Sequence, residues 1–376
     1  MKFVHTSDWH LGRQFHNVSL LDDQQAVLEG LFDYLKGNPV DALVIAGDVY
    51  DRSVPPTAAI EVMNDFVNRV CGGLGLPIIL IPGNHDGAQR LSFGAERMKE
   101  AGLHIIANFD DMLTPVVIDS DIGPVAFYGM PYNDPELVRH HFQQSVSTHD
   151  QAHQLLSEKI QDTFKAEQKR VLISHCFVDG AIESDSERPL SIGGSDRVSH
   201  EHFTHFDYVA LGHLHQPQKK GEEFIRYSGS LMKYSFSEQH QKKGVTLVEL
   251  DHDGFSSATH IDLVAPHQMR ILEGEMHQIL KNGKQDPNNQ DYLLIRLLDR
   301  HAILNPMDKL RAVYPNVLHL EKPGMLVGVE QQMAQAKLAR NELDMFKDFF
   351  SEAQDSELSE TQQDALASII KQLNKQ

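Results

Sequence analysis

Ala42-Leu43-Val44-Ile45-Ala46-Gly47-Asp48-Val49-Tyr50-Asp51 is the stretch from which the fold can be read. An apolar run ends at a glycine, and two carboxylates follow at once. Short apolar runs bounded by Gly or Pro read as buried strands. Four more pairings of the same kind lie outward from it. Phe3-Val4 leads to Ser7-Asp8-Trp9-His10, and Ile78-Ile79-Leu80-Ile81 leads to Gly83-Asn84-His85-Asp86. Val171-Leu172-Ile173 leads to Ser174-His175, and Tyr208-Val209-Ala210-Leu211 leads to Gly212-His213-Leu214-His215. Open α/β sheets place ligands at the ends of such strands. The groups supplied are carboxylate, imidazole and carboxamide, without thiolate. That mixture suits a pair of hard-to-borderline divalent metals better than a structural zinc.

The helix candidates between these strands run from about Leu21 to Leu35, Thr57 to Val70, Ser92 to Ala101, Pro135 to Gln144 and His149 to Lys165. Further strand candidates, Val116–Asp119, Val125–Tyr128, Phe224–Tyr227, Val245–Leu250 and Ala258–Leu263, interrupt the βαβ alternation. The expected fold is α/β, α+β in places, with two packed sheets flanked by helices. This domain covers residues 1–265. A small α+β cap is expected over 268–322, with strands at Met269–Glu273, Tyr292–Leu298 and Val317–Glu321, a helix at Asn305–Tyr314 and a loop at Asn282–Asn289. A polar helical tail fills 328–376. It carries the apolar stripes Leu343, Phe346, Phe349, Phe350 and Leu366, Ile369, Ile370, Leu373, and Ser359-Glu360-Thr361-Gln362 starts its second helix as a capping box. Such helices either dock on their own protein or offer an apolar face to a partner helix.

Composition bounds the function. The 376 residues are 41% hydrophobic and 23% charged, ordinary for a folded protein. No apolar run approaches the ~20 residues of a membrane span, and the N-terminus shows no signal-peptide core. Only Cys71 and Cys176 occur, which points to a reducing cytoplasm rather than a disulfide framework. The net charge of −19 is the wrong sign for binding nucleic acid by bulk charge. If DNA is the substrate, a local basic patch, the metals or a partner chain must supply the attraction.

The clusters D-x-H, G-D, G-N-H-D, H and G-H-x-H, in this order, resemble the calcineurin-like metallophosphoesterase superfamily. The resemblance implies a four-layer fold and a pair of divalent metals, Mn2+ with Mg2+ as the alternative. It implies that Asp8, His10 and His215 hold one ion, that Asn84, His175 and His213 hold the other, and that Asp48 bridges them. His85 is then the group that contacts the phosphate and helps protonate the leaving oxygen. Asp86 orients a ligand or His85. Trp9, between two ligands, is expected to point away from them into the core.

Flanking residues resemble the double-strand-break repair nuclease branch, the nuclease subunits of bacterial SbcCD complexes. They include Thr6 to Gly12, Ala46 to Asp51, Ile81 to Asp86, the loop Ile192-Gly193-Gly194-Ser195, and Tyr208 to Gln218. This implies a nuclease that degrades duplex ends 3′ to 5′ and cuts single strands and hairpins. It also implies an SbcC-type ABC ATPase partner bound through the C-terminal helices, and a homodimer within a heterotetramer. One position departs from the pattern. Archaeal and eukaryotic relatives carry a catalytic His where this chain has Asp51, whose carboxylate is expected to orient His85 unless it only caps the following turn. A phosphomonoesterase or cyclic-nucleotide phosphodiesterase would share the metal core. It would not need the 268–322 module or the tail.

Overall fold

The computed structural model describes residues 1–187 and 196–323, and beyond them only Phe350, Ser359, 361–363, Ala365 and Leu366. The expected loop Ile192–Ser195 and most of both tail stripes lie outside the described residues. Around the expected capping box, Gln362 Oε1 accepts the Ser359 backbone N–H at 2.9 Å. Two compact units divide the chain: Met1–Ile271 with Gln290–Tyr292, and Leu272–Asn289 with Leu293 onward.

In the first unit the labelled strands are β1 (Lys2–Thr6), β2 (Ala42–Ala46), β3 (Ile78–Ile81), β4 (Leu103–Ile105), β5 (Val116–Ser120), β6 (Gly123–Met130), β7 (Lys169–His175), β8 (Tyr208–Gly212), β9 (Gln218–Lys220), β10 (Glu222–Tyr227), β11 (Gly244–Asp251) and β12 (Gly254–Asp262). One six-stranded sheet has the order β12-β11-β1-β2-β3-β4 and the other β9-β10-β8-β7-β6-β5. β1 to β4 run parallel in the first sheet. β10, β8, β7 and β6 run parallel in the second. Antiparallel strands close the edges.

Period-two alternation gives each central strand two apolar faces. Ala42, Val44, Ala46, Ile79 and Ile81 meet Val171, Ile173, Tyr208 and Ala210 in the core between the sheets. Leu172, Val209 and Leu211 face the other way, onto helices α3 (Pro135–Phe142) and α4 (His149–Gln161) through Val138, Leu156 and Ile160. On the first sheet, Leu43, Ile45, Ile78 and Leu80 are fully buried, as are Leu31 of α1 (Leu21–Gly37) and Ala59 of α2 (Thr57–Val67). The result is four layers, helix, sheet, sheet, helix.

Two helical expectations shift and one helix is new. The helix from Thr57 passes into a π-helix over Asn68–Gly73. The one expected over 92–101 is two short helices, Ala88–Leu91 and Ala95–Lys99, separated by Gly94 at φ 76°. In the second unit, an additional helix, α5 (Met276–Gly283), precedes the expected loop. Strands β13 (Met269–Gly274), β14 (Tyr292–Leu297) and β15 (Val317–Glu321) form a three-stranded sheet, and α6 (Pro306–Arg311) lies between the last two in sequence. The second unit's own core gathers Met276, Ile279, Leu293, Ile295, Leu310 and Tyr314. Among the described residues no helix is long and apolar enough to cross a membrane.

Candidate metal centre

All five clusters emerge at the carboxyl ends of parallel strands, β1, β2 and β3 of one sheet and β7 and β8 of the other. The turns there are strained. Asp8, His10, Asp48 and His213 have φ of 54°, 45°, 51° and 104°, the left-handed region that costs an ordinary residue about 1–3 kcal/mol. Hydrogen bonds hold them in place. Asp8 N–H donates to Gly47 O at 3.1 Å and His10 N–H to Asp48 O at 2.9 Å. The His213 N–H donates to the Asp8 carboxylate at 3.0 Å, and the His85 N–H to Asp48 Oδ1 at 2.9 Å. Glycine is required where the turns crowd. A Cβ at Gly83 would lie 2.2 Å from Asp48 Oδ1, and one at Gly212 would lie 1.8 Å from Ala46 O.

Asp8, His10 and His215 bring ligand atoms within 4.8 Å of one another, and so do Asp8, Asp48 and His175. His10 Nε2 lies 3.0 Å from His215 Nε2, and Asn84 Oδ1 lies 2.9 Å from His175 Nε2. Asp48 Oδ2 sits between the two histidine sets, 3.7 Å from His10 Nε2 and 3.5 Å from His175 Nε2. The His213 ring is 5.4 Å from that of His175. Every one of these carboxylates and imidazoles is buried.

The chemistry of the donor set fits divalent cations. His175 Nδ1 lies 2.9 Å from Ala46 O, a pure acceptor, so Nδ1 carries a proton and Nε2 is the nitrogen turned to the site. Burial would lower this ring, but Asp48 raises it to about 9 and holds the cation-free ring charged. In the absence of a cation Nε2 donates to the Asn84 carboxamide oxygen at 2.9 Å, the place where a cation would be shared by the two groups. His10 Nδ1 is buried without a hydrogen-bond partner. Acceptors converging in a buried place are satisfied by a cation. The titrations reflect the crowding. Burial pushes Asp8 up to about 6. Burial is the largest influence on Asp48 and works to raise it, but His175, His10 and His85 together hold that carboxyl well below its usual range. Burial lowers both His10 and His213 well below the ordinary imidazole value.

His85 lies at the same centre, its ring 4.6 Å from that of His10. Its Nδ1 donates to the backbone carbonyl of Asp51 at 2.8 Å. The Asp51 main chain thus holds His85, and the Asp51 carboxylate also lies within 4.8 Å of a ring nitrogen of each of His85 and His10. The same carboxylate lies 3.5 Å from Arg13 Nη1 and 3.8 Å from His10 Nδ1. Asp86 accepts the N–H groups of Val49, Tyr50 and Gly83 at 3.1, 2.9 and 3.0 Å, clasping the turn that carries Asp48 to the turn that carries Asn84. Trp9 is fully buried, with Nε1 donating to Thr6 Oγ1 and its ring edge-on to Phe66.

Several residues at the centre carry no signal in the sequence. Ser186 Oγ lies 2.6 Å from His215 Nδ1, and Glu187 Oε1 accepts the His215 N–H at 2.7 Å. The buried pair Glu238 and Lys243 stands behind them, and Gln24 Nε2 donates to His10 O at 2.7 Å. Their spacing from the motifs is arbitrary. Only the return of the chain through 228–243 brings Glu238 and Lys243 to the site.

Residues 1–217 match the family model of the calcineurin-like phosphoesterases, so the chain belongs to that family. Residues 265–354 match a second model, SbcD_C, the Type 5 capsule protein repressor C-terminal domain, and the two matches in this order are consistent with an SbcD nuclease subunit. Among solved structures, a hypothetical protein from Thermus thermophilus is 10% identical with TM-score 0.39, covering 71% of this chain and 100% of its own. A dimetal phosphatase from Danio rerio is 12% identical with TM-score 0.38, covering 70% of this chain and 99% of its own. The family assignment rests on residues 1–217 and not on these likenesses.

Proposed function

We propose that this chain is a two-cation DNA nuclease, using Mn2+ or alternatively Mg2+, that works with an SbcC-type ABC ATPase in DNA end processing, recombination and repair. Its substrates in this reading are duplex ends, degraded 3′ to 5′, together with single strands and hairpins. The observation that carries it is the joining of the phosphoesterase match to the SbcD_C match in one chain. A homodimer within a heterotetramer and a cytoplasmic setting belong to the same reading. The two free, buried cysteines suit a reducing compartment.

In this reading Asp8, His10 and His215 hold one ion, Asn84, His175 and His213 hold the second, and Asp48 bridges them. Two such ions supply the positive charge that clamps an in-line phosphoryl displacement and make water a nucleophile at neutral pH. Asp48, which lies between His10 and His175, would be the carboxylate shared by the two ions. Neutral imidazoles and the Asn84 carboxamide add ligands without cancelling the charge that attracts phosphate. His85, anchored through Nδ1, holds its proton for the leaving oxygen at Nε2.

The test offers Mn2+-loaded protein linear duplex DNA, p-nitrophenyl phosphate and bis-p-nitrophenyl phosphate. Release of nucleotides from the duplex, lost by about 10²–10⁴-fold in His85→Ala, is the expected result. Fast monoester turnover with inert DNA would instead make the chain a phosphomonoesterase.

A further inference from the structure

Ser186, Glu238 and Lys243 form a buried chain of polar groups behind His215. Glu238 is fully buried. Its carboxylate receives Lys243 Nζ at 2.6 Å, the Tyr234 N–H at 3.2 Å and the Ser235 hydroxyl at 3.1 Å, and it also bonds the Ser186 hydroxyl. A carboxylate held by that many donors acts only as an acceptor. The single proton of Ser186 Oγ is therefore spent on Glu238. In its other contact, 2.6 Å from His215 Nδ1, the hydroxyl can only accept. Nδ1 of His215 must then carry the ring proton, which leaves the lone pair on Nε2, the nitrogen 3.0 Å from His10 Nε2.

We infer that Ser186, backed by Glu238 and Lys243, is a positioning residue that fixes His215 in the tautomer whose Nε2 can bind a cation. The inference rests on the two-cation reading above. Without the hydroxyl, Nδ1 would keep no hydrogen-bond partner in this chain of contacts, only the Glu238 carboxylate at 3.6 Å, and the proton would be freer to move to Nε2, where it would point into the donor cluster. The same groups hold the rest of the residue. Lys243 Nζ donates to His215 O at 2.7 Å and to Ser230 Oγ at 2.8 Å, and Glu187 takes the His215 N–H. Ring, amide and carbonyl are thus all fixed, which matches the general need of a metal-binding imidazole for a partner on its second nitrogen. Glu238 and Lys243 lie after residue 217, where the phosphoesterase match ends, so this support is supplied by sequence outside the matched region.

The test uses the full chain with Ser186→Ala and Ser186→Thr, the second keeping the hydroxyl. Long-range 1H–15N NMR on cation-free protein reads the His215 tautomer, assigned by difference from His215→Ala. Calorimetry reads Mn2+ binding, and urea unfolding checks that the variants fold. The expected result is that Ser186→Ala loses the single Nδ1–H signature and weakens one Mn2+ site by about 10–100-fold, while Ser186→Thr keeps both. Wild-type Mn2+ binding together with an unchanged ring signal and unchanged affinity in Ser186→Ala overturns this inference and leaves the two-cation reading intact. A wild-type chain that takes up no Mn2+ overturns that reading, and the inference with it.

Discussion

His85 shows how a backbone contact can set the role of a side chain. Its Nδ1 is anchored on the carbonyl of Asp51, a group that substitution does not remove. Asp51→Asn is therefore expected to leave Mn2+ affinity nearly intact and to slow DNA hydrolysis by no more than about tenfold, far short of His85→Ala. Single-turnover rates with both variants check this, and equal losses would mean that the Asp51 carboxylate acts directly. The ligand candidates were legible at this scale because the chemistry demands Asp, His and Asn at strand ends. The sequence could not show that the Asp51 carbonyl holds His85, since any residue has a carbonyl. Nor could it show Ser186 or Glu238, whose types and spacing are ordinary for solvated loops.

The turns that carry the site also join the two sheets. A Cβ at Gly212 would overlap Ala46 O and approach His175 Nδ1 to 2.8 Å, two groups that cannot swing aside as a flexible side-chain end would. Gly212→Ala is expected to destabilise the fold by about 3 kcal/mol, read as a lower urea midpoint at unchanged slope. Helix α4 carries a different liability. His153 donates Nδ1 to His149 O at 2.8 Å, while its buried Nε2 has no partner. His149, His202 and Asp150 are the titratable groups around it. Burial lowers His153 from 6.5 to about 4. The unfolded chain therefore binds a proton that the folded one refuses, and stability complete above pH 6.5 is lost as pH falls toward 4, by about 3 kcal/mol. His153→Gln should flatten the stability curve by up to one proton across that window, and an unchanged slope would remove His153 as its cause. The strands were legible from alternation, as with Val44 against Leu43. The division of the 88–99 helix was not, because Gly94 reads equally well as a tolerated interior glycine. Helix α5 has a signal in the sequence, since Met276, Ile279, Leu280 and Gly283 stand at helical spacing and three of the four are buried, but at eight residues it is too short for periodicity alone to mark it.

On the scale of the molecule, the net charge of −19 makes a partner part of the proposed function. Deleting residues 335–376 is expected to leave Mn2+-dependent diester hydrolysis near the intact level and to abolish co-purification with the ATPase. Full-strength co-purification of the shortened chain would move the dock elsewhere. The boundary between the units was only partly legible. Gln290–Tyr292 returns to the first unit from within the second, a crossing that no linker composition announces.

Strand β11 lies beside β1 with Lys2 opposite Glu249, so the first strand made gains that neighbour only after almost 250 residues have been translated. The proposed ligand sets are separated the same way, Asp8 and His10 from His215 in one, Asn84 from His213 in the other. A nascent or prematurely terminated chain of about 200 residues thus carries β1 with an unpaired edge, and an apolar face that lacks β8. Such edges and faces recruit other chains. Translation of this protein accordingly passes through a long interval in which aggregation competes with folding, and chaperone capacity rather than final stability would set its yield.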